Sequence, residues 1–323
     1  MTARRPLDLV AVGDADVDIY VRSEPAEPGR KVLGDLLGLR AGGMAANVAC
    51  AVARLGLRSA LVAPLGADRS ADLAMDYFEQ VGLDTRWVRR IPGADTYLSI
   101  VMLDPRGEKA LTVARSAAFF PDAAHLAAVD LAQARAVHIA PFDEDLAAAC
   151  ARRAAVAGSL VSMDIEAAML DTVVDVSRLL TDVDVLFVNE YAFEALGGRR
   201  PRSTAPDVDQ LRRALGLRTL VLTRGERGAL IAYRGLVHAA HAAATEVVDT
   251  TGAGDCFAAG FLAAQLRGAD PATCGYVGAQ VAARSIGCLG GSHGVPHISQ
   301  LQPPTSDKAL TIKEPVTPCE TQN

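Results

Sequence analysis

A chain of 323 residues, 50% hydrophobic and 22% charged, is long enough to bury a sizeable core as one large α/β domain or a domain with a small appendage. The net charge of −6 and the short, scattered arginine pairs (Arg152-Arg153, Arg199-Arg200, Arg212-Arg213) argue against a nucleic-acid partner. The absence of a secretory leader or an apolar run of about 18 residues argues against a membrane partner, and six cysteines without CxxC or zinc spacing lead us to expect a reduced, cytoplasmic protein.

Leu7 to Val12 reads as a first strand buried on both faces. If the chain stays extended beyond it, period two puts the carboxylates of Asp14, Asp16 and Asp18 on one side and Ala15, Val17 and Ile19 on the other. Like charges in a row need hydrogen-bond donors or a cation. Sugar hydroxyls, a divalent ion and a solvated edge strand all satisfy that spacing. Ser23 to Arg30 is a loop, and the run to Leu39 is expected to pair as strands. Gly42 and Gly43 then precede an apolar helix that ends near Leu55-Gly56, with Asn47 one turn inside offering both a donor and an acceptor.

Ser59 to Leu65 (strand) and Ala71 to Val81 (helix) set up a βαβ rhythm typical of parallel sheets. Thr96 to Leu103 and Lys109 to Val113 break it, joined by a hairpin signal at Asp104-Pro105-Arg106-Gly107-Glu108. With the early strands they predict a small β lid, the alternative being an antiparallel edge of the main sheet. The rhythm resumes with strand Ala136 to Phe142, helix Leu146 to Ala157 and strands Leu160 to Ile165 and Val183 to Asn189. Asn189 lies at a C-terminal strand end, where open α/β sheets place ligands. Strand Thr219 to Thr223 turns through Gly225 and Gly228 into Ala229 to Tyr233.

A β-like run, Thr245 to Val248, leads into Asp249-Thr250-Thr251-Gly252-Ala253-Gly254-Asp255-Cys256-Phe257. Glycines ahead of a helix allow close backbone approach, and the first turn offers unpaired N–H groups and the positive dipole end, which together make an anion cradle. Asp255, directly after it, stands where a carboxylate can orient a hydroxyl and take its proton as the hydroxyl attacks phosphorus. The letters fit neither a Walker loop nor a Rossmann fingerprint. Helices Ala258 to Leu266 and Pro271 to Ile286 follow, and residues from Pro303 onward read as a disordered tail.

The string Asp-Thr-Thr-Gly-Ala-Gly-Asp-x-Phe resembles the signature of the PfkB (ribokinase-like) family of sugar and nucleoside kinases, and Gly42-Gly43-x-x-x-Asn47 is similar to its second signature. The resemblance implies a three-layer α/β fold, a mostly parallel central sheet flanked by helices plus a small β lid, in a kinase domain over residues 1–302 with lid strands within about 14–40 and 96–115. It implies that Asp16, Asp18, Gly42, Gly43 and Asn47 hold the acceptor, that Asp255 is the base, and that Gly252, Ala253 and Gly254 cradle the transferring phosphoryl group of ATP, with Mg2+ bridging the phosphates. Asn189, Thr223, Gly225 and Gly228 fall on the nucleotide side, and Asp249 with Thr251 where some relatives hold a monovalent cation such as K+.

The chain departs from the family at Ala192, where members carry the Glu of Asn-x-x-Glu and where Glu190 or Glu194 would have to substitute. It departs again at Met44, where members that phosphorylate ribose often carry Lys. The clustered carboxylates favour a neutral sugar over an anionic one. A nucleoside kinase would instead need an aromatic wall, for which Tyr20, Tyr97, Phe119 and Phe120 are the candidates, and a catalytically silent sugar- or nucleotide-binding regulator is the remaining alternative. Pairing of two lids would make a homodimer.

Overall fold

The computed structural model describes residues 5–24, 28–104, 109–141, 143–171, 173–198, 204–302 and 309–312. The tip of the anticipated hairpin (105–108), Phe142, Arg199-Arg200 and most of the anticipated tail (303–308 and 313–323) lie outside these residues.

The strands are β1 (Leu7–Val12), β2 (Asp16–Arg22), β3 (Asp35–Gly42), β4 (Ser59–Gly66), β5 (Asp84–Ile91), β6 (Leu98–Leu103), β7 (Lys109–Ala114), β8 (Ala134–Ile139), β9 (Leu160–Ile165), β10 (Val185–Asn189), β11 (Thr219–Thr223), β12 (Ala229–Tyr233), β13 (Leu236–Ala240) and β14 (Ala309–Ile312). The helices are α1 (Met44–Arg54), α2 (Arg69–Gln80), α3 (Ala123–Ala127), α4 (Glu144–Val156), α5 (Ala167–Leu170), α6 (Val176–Leu180), α7 (Glu190–Ala195), α8 (Ala205–Ala214), α9 (Ala253–Leu266) and α10 (Pro271–Ser285). Side chains start several of them: Asp68, Asp143 and Asp270 each accept a first-turn N–H, and Pro271 follows Asp270 at the first helical position, where its missing N–H costs nothing.

Ten strands form the main sheet in the order β14-β13-β12-β11-β10-β9-β8-β1-β4-β5. From β11 across to β5 every pairing is parallel, while β12, β13 and β14 add an antiparallel edge. Alternate residues of one strand feed two separate cores, as a period of two requires. Leu9 and Ala11 of β1 join Phe187, Val221 and Ile231 under α1, α9 and α10. Val10 and Val12 join Leu186, Leu220 and Leu230 under α4 and α8. Helices therefore cover both faces of the sheet, which gives three layers. Gly260 sets the depth of α9 against α10, because a Cβ there would lie 2.9 Å from both Gly278 Cα and Val281 Cγ2.

The lid is a separate four-stranded sheet, β3-β2-β6-β7, which settles the choice between a lid and an edge of the main sheet. Its β6–β7 pairing is antiparallel with Leu103 opposite Lys109.

Several boundaries differ from expectation. Thr245 to Val248 is not a strand: Val247 and Val248 are exposed, and the N–H groups of Val248 and Asp249 bond to Ile286 O at the end of α10 (2.8 and 3.2 Å). Its β-branched composition found no sheet edge, because β13 is paired on its open side by β14. That strand falls inside the segment read as a structureless tail, so the tail reading fails for Ala309–Ile312. Helix α9 begins at Ala253 rather than Ala258. Strands β5 and β13 were not anticipated; β5, with Arg86, Arg89 and Arg90 in its run, lacks an apolar alternation.

Candidate active site

Gly252 takes the left-handed conformation (φ 69°, ψ 7°), a region that disfavours any side chain, and so turns the loop into the first turn of α9. A Cβ at Gly252 would lie 2.6 Å from Gly291 Cα, and one at Gly254 would meet nothing within 4 Å. The cradle is thus closed behind by the 290–291 loop and open in front, where a phosphoryl group needs room. Ala253 N–H turns back to Thr250 O at 3.3 Å, so Gly254 and the following turn carry the cradle more than Ala253 does. Asp249 ties this loop down: its Oδ1 accepts Thr251 N–H (2.9 Å) and its Oδ2 accepts Gly290 N–H (3.0 Å). With both oxygens so engaged, Asp249 staples the loop.

Asp255 is buried, and Asn47 Nδ2 donates to its Oδ2 at 2.8 Å. Burial pushes the Asp255 carboxyl well above the usual range, the charge of Asp164 adds to this, the Asn47 hydrogen bond opposes it, and Glu166 and Asp14 push it further up. Asn47 is itself boxed in, since a Cβ on Gly291 would come within 2.5 Å of its Oδ1. Helices α1 and α9 therefore meet at Asp255.

The acceptor side lies on β2 and the end of β3. Asp16 and Asp18 share one face of β2, as period two predicted, for a Cβ on Gly42 would lie 2.4 Å from Asp16 Oδ1 and 2.6 Å from Asp18 Oδ2. Val17 and Ala15 turn the other way into the core. Ser99 Oγ donates to Asp16 Oδ2, while Asp16 Oδ1 is buried without a partner among the described residues. Burial raises the Asp16 carboxyl, with Asp18 the next cause. Asp18 is pushed up to about 7 by burial and by Asp249, against the lowering effects of Tyr20 and Lys109. Asp14 holds the structure: its Oδ1 accepts Ala45 N–H (3.0 Å) and its Oδ2 accepts Tyr97 OH (2.5 Å). Gly43, at φ 98°, starts α1 against Ala15, whose Cα would be 2.8 Å from an added Cβ.

Asn189 and Thr223 stand side by side at the C-terminal ends of β10 and β11. Asn189 Oδ1 caps α7 by accepting Ala192 N–H (2.9 Å), so position 192 serves the helix start, and its side chain is buried. Glu190 pairs with Arg227, which takes it away from the role of the family's Glu. Gly228, at φ 75°, packs against Ala240 and Ala242, at the rim of a cavity of about 640 Å³ lined by His241, Thr245, Tyr276, Gln280, Arg284 and Gln302 among others. That volume suits a nucleotide base and sugar.

Sequence reasoning missed Asp164 and Glu166. Both sit at the C-terminal end of β9, and burial followed by the charge of Glu166 pushes Asp164 up to about 8. The available signal was an acidic residue closing an otherwise apolar parallel strand, the end at which such sheets bind ligands. Among the described residues no group of three or more His, Cys, Asp or Glu converges to hold a metal ion, and no helix is long and apolar enough to cross a membrane.

Known proteins share this arrangement. The sequence profile of the pfkB family carbohydrate kinases matches residues 7–298. A nucleoside kinase of Methanothermobacter thermautotrophicus is 31% identical over 277 residues, 85% of this chain and 88% of that protein. An ATP-dependent ribose-1-phosphate kinase of Halopiger xanaduensis is 31% identical over 229 residues, 71% of this chain and 74% of that protein. Among solved structures, an Arabidopsis thaliana ribokinase complexed with ribose and ATP superposes with a TM-score of 0.80 at 24% identity, covering 91% of this chain and 96% of that one, which supports the fold. Profile and relatives together span the lid, the acceptor face and the cradle, and the chain belongs to the pfkB family of carbohydrate kinases.

Proposed function

We propose that this kinase transfers the γ-phosphoryl group of Mg-ATP to a hydroxyl of a neutral sugar or sugar-like acceptor. The observation that carries the reading is Asp255, buried in the first turn of α9 beside an open anion cradle and hydrogen-bonded to Asn47 from the acceptor side. Magnesium would arrive with the nucleotide and would supply positive charge to its phosphates.

In the transfer, Asp16 Oδ1, which lacks a donor, accepts from an acceptor hydroxyl, and Asp18 accepts from a neighbouring one. Asn47 keeps Asp255 aimed at the reacting hydroxyl. A bond forms between that oxygen and the γ-phosphorus while the bond from phosphorus to the β,γ-bridging oxygen breaks. Asp255 takes the hydroxyl proton, and ADP is the leaving group. Backbone N–H groups of the Gly252–Gly254 turn stabilise the charge on the transferring group. The cavity behind Gly228 takes the base, and the lid keeps water from the phosphoryl group.

A nucleoside acceptor is the second reading. It is favoured by an aromatic cluster in which Tyr97 and Phe119 meet edge to face at 4.7 Å and Phe119 and Phe120 at 5.6 Å, a surface on which a base would stack. The exposed apolar Leu111 and Val113 on edge strand β7 and Leu36 and Leu39 on β3 support pairing of two lids in a homodimer.

A coupled ADP-release assay across pentoses, hexoses, keto-deoxy sugar acids and nucleosides tests the reading. Turnover on a neutral sugar is expected. Turnover on nucleosides alone would move the assignment to the second reading, and turnover on anionic sugars alone would contradict the charge argument.

A further inference from the structure

The carboxylates of Asp14, Asp16, Asp18, Glu166 and Asp255 crowd the place into which a polyanionic phosphoryl group must pass. Cradle N–H groups supply only partial charges against them. Among the described residues, a lysine reaches this place from the lid. Lys109 opens β7, and its Nζ donates to Thr251 Oγ1 at 3.2 Å. Thr251 is the residue before Gly252, so the ammonium group stands at the lip of the cradle. Sheet register makes this placement systematic: Lys109, Leu111 and Val113 share one face of β7, and Val113 lies opposite Ser99, whose hydroxyl bonds Asp16. The positive charge lowers the carboxyl pKa of Asp18 on the acceptor face and of Glu166 at the end of β9, so it sits between the two walls of the site. A lysine on an exposed edge strand keeps a flexible four-carbon stem, and a hydroxyl is a weak partner for an ammonium group beside an incoming phosphate.

We propose that Lys109 is a phosphoryl-binding residue carried by the lid, whose ammonium group exchanges Thr251 Oγ1 for the γ-phosphoryl oxygens as the lid closes over acceptor and nucleotide. The inference rests on the kinase reading above and deepens it. Lid closure then delivers charge as well as excluding water, and transfer is fast only when acceptor and nucleotide are both enclosed.

The test compares wild type with Lys109→Ala and Lys109→Arg, read as kcat, acceptor KM and the ratio of affinities for AMP-PNP and ADP by calorimetry. Loss of one charge contact to the developing phosphoryl group is expected to lower kcat by about 10²-fold and to cut the preference for AMP-PNP over ADP roughly tenfold, with Arg restoring part of both. Melting temperature should not move, since the side chain is exposed. Unchanged kcat and an unchanged ratio in Lys109→Ala, in a wild type that turns over, would overturn this role alone. A raised acceptor KM with intact kcat would reduce Lys109 to lid docking and overturn it too. If wild type binds nucleotide but finds no acceptor in the panel, the affinity ratio decides. A wild type that binds no adenine nucleotide would sink the kinase reading and this proposal together.

Discussion

Strand β1 is buried along its whole length, whereas β7 is exposed along its whole length. In the proposed mechanism the two nonetheless bear on one site, since the turn after β1 carries Asp14, which fixes the start of α1, and β7 carries Lys109 at the lip of the cradle. Burial on both faces makes the main sheet rigid and fixes the strand ends that present Asp164, Asn189 and Thr223. In the lid, β2 and alternate residues of β6 are buried while β3 and β7 are largely exposed, so its outer strands are the part least tied to that frame. Fixed charge acceptors stand on the first region and on the lid strand that leans against it, and the adjustable cation stands on the second. Stability and catalysis are therefore separable by region, and mutations should sort accordingly.

The largest effect is expected where the frame is densest. Phe187, 2% exposed between His138 and Phe261, should cost about 3–5 kcal/mol as Phe187→Ala, measured by urea unfolding; a loss under about 1 kcal/mol would break the claim that the sheet carries the stability. At the junction of the two regions, Gly42→Ala drives a Cβ against Asp16 and Asp18. Acceptor KM should rise roughly tenfold or more, the worth of about one charged hydrogen bond, with ADP affinity kept; an unchanged KM would remove these carboxylates from the acceptor site.

Smaller and pH-dependent is Asp164→Asn. Burial pushes its carboxyl up to about 8, above the ordinary range of an aspartate, so the folded state binds the proton more tightly. The stability this group contributes is full below about pH 4 and is lost as pH rises through about 8. Asp164→Asn should thus gain more melting temperature over wild type at pH 8 than at pH 5, and equal gains would contradict the buried-acid assignment. Least of all, Leu111→Ser on the lid should change unfolding free energy by no more than about 0.5 kcal/mol while abolishing any lid-mediated dimer seen by sedimentation.

The parts legible in the sequence were those with strong local periodicity or a motif. Parallel strands such as Thr219–Thr223 read directly from their apolar runs, and the glycines around 252 marked the cradle, Gly252 by its left-handed backbone and Gly254 by the open space in front of it. The lid was legible as a break in the βαβ rhythm. Strand β5 was not, since its arginines answer to partners such as Asp72 and Asp122 brought from elsewhere in the fold. Thr245–Val248 misled for the complementary reason: β propensity without a free edge gives no strand. On the acceptor side the shared face of Asp16 and Asp18 followed from spacing, and their expected role and that of Asn47 from the family resemblance, yet the tie from Asn47 to Asp255 spans 208 positions and is visible only in the fold. Asp164 and Glu166 had only a weak signal, acids at the end of a largely apolar strand, and their nearness to Asp255 is visible only in the fold.

Everything converges on Asp255 as the proton acceptor, and Asp255→Asn tests it most directly. With the acceptor that wild type turns over, the variant should lose ~10² to 10⁴-fold in kcat while binding acceptor and nucleotide with affinities within a few-fold of wild type. Because burial and neighbouring acids hold the Asp255 carboxyl above its ordinary range, wild-type kcat/KM should also fall with acidification at a pH well above that of a free aspartate. Near wild-type turnover in Asp255→Asn would contradict the account.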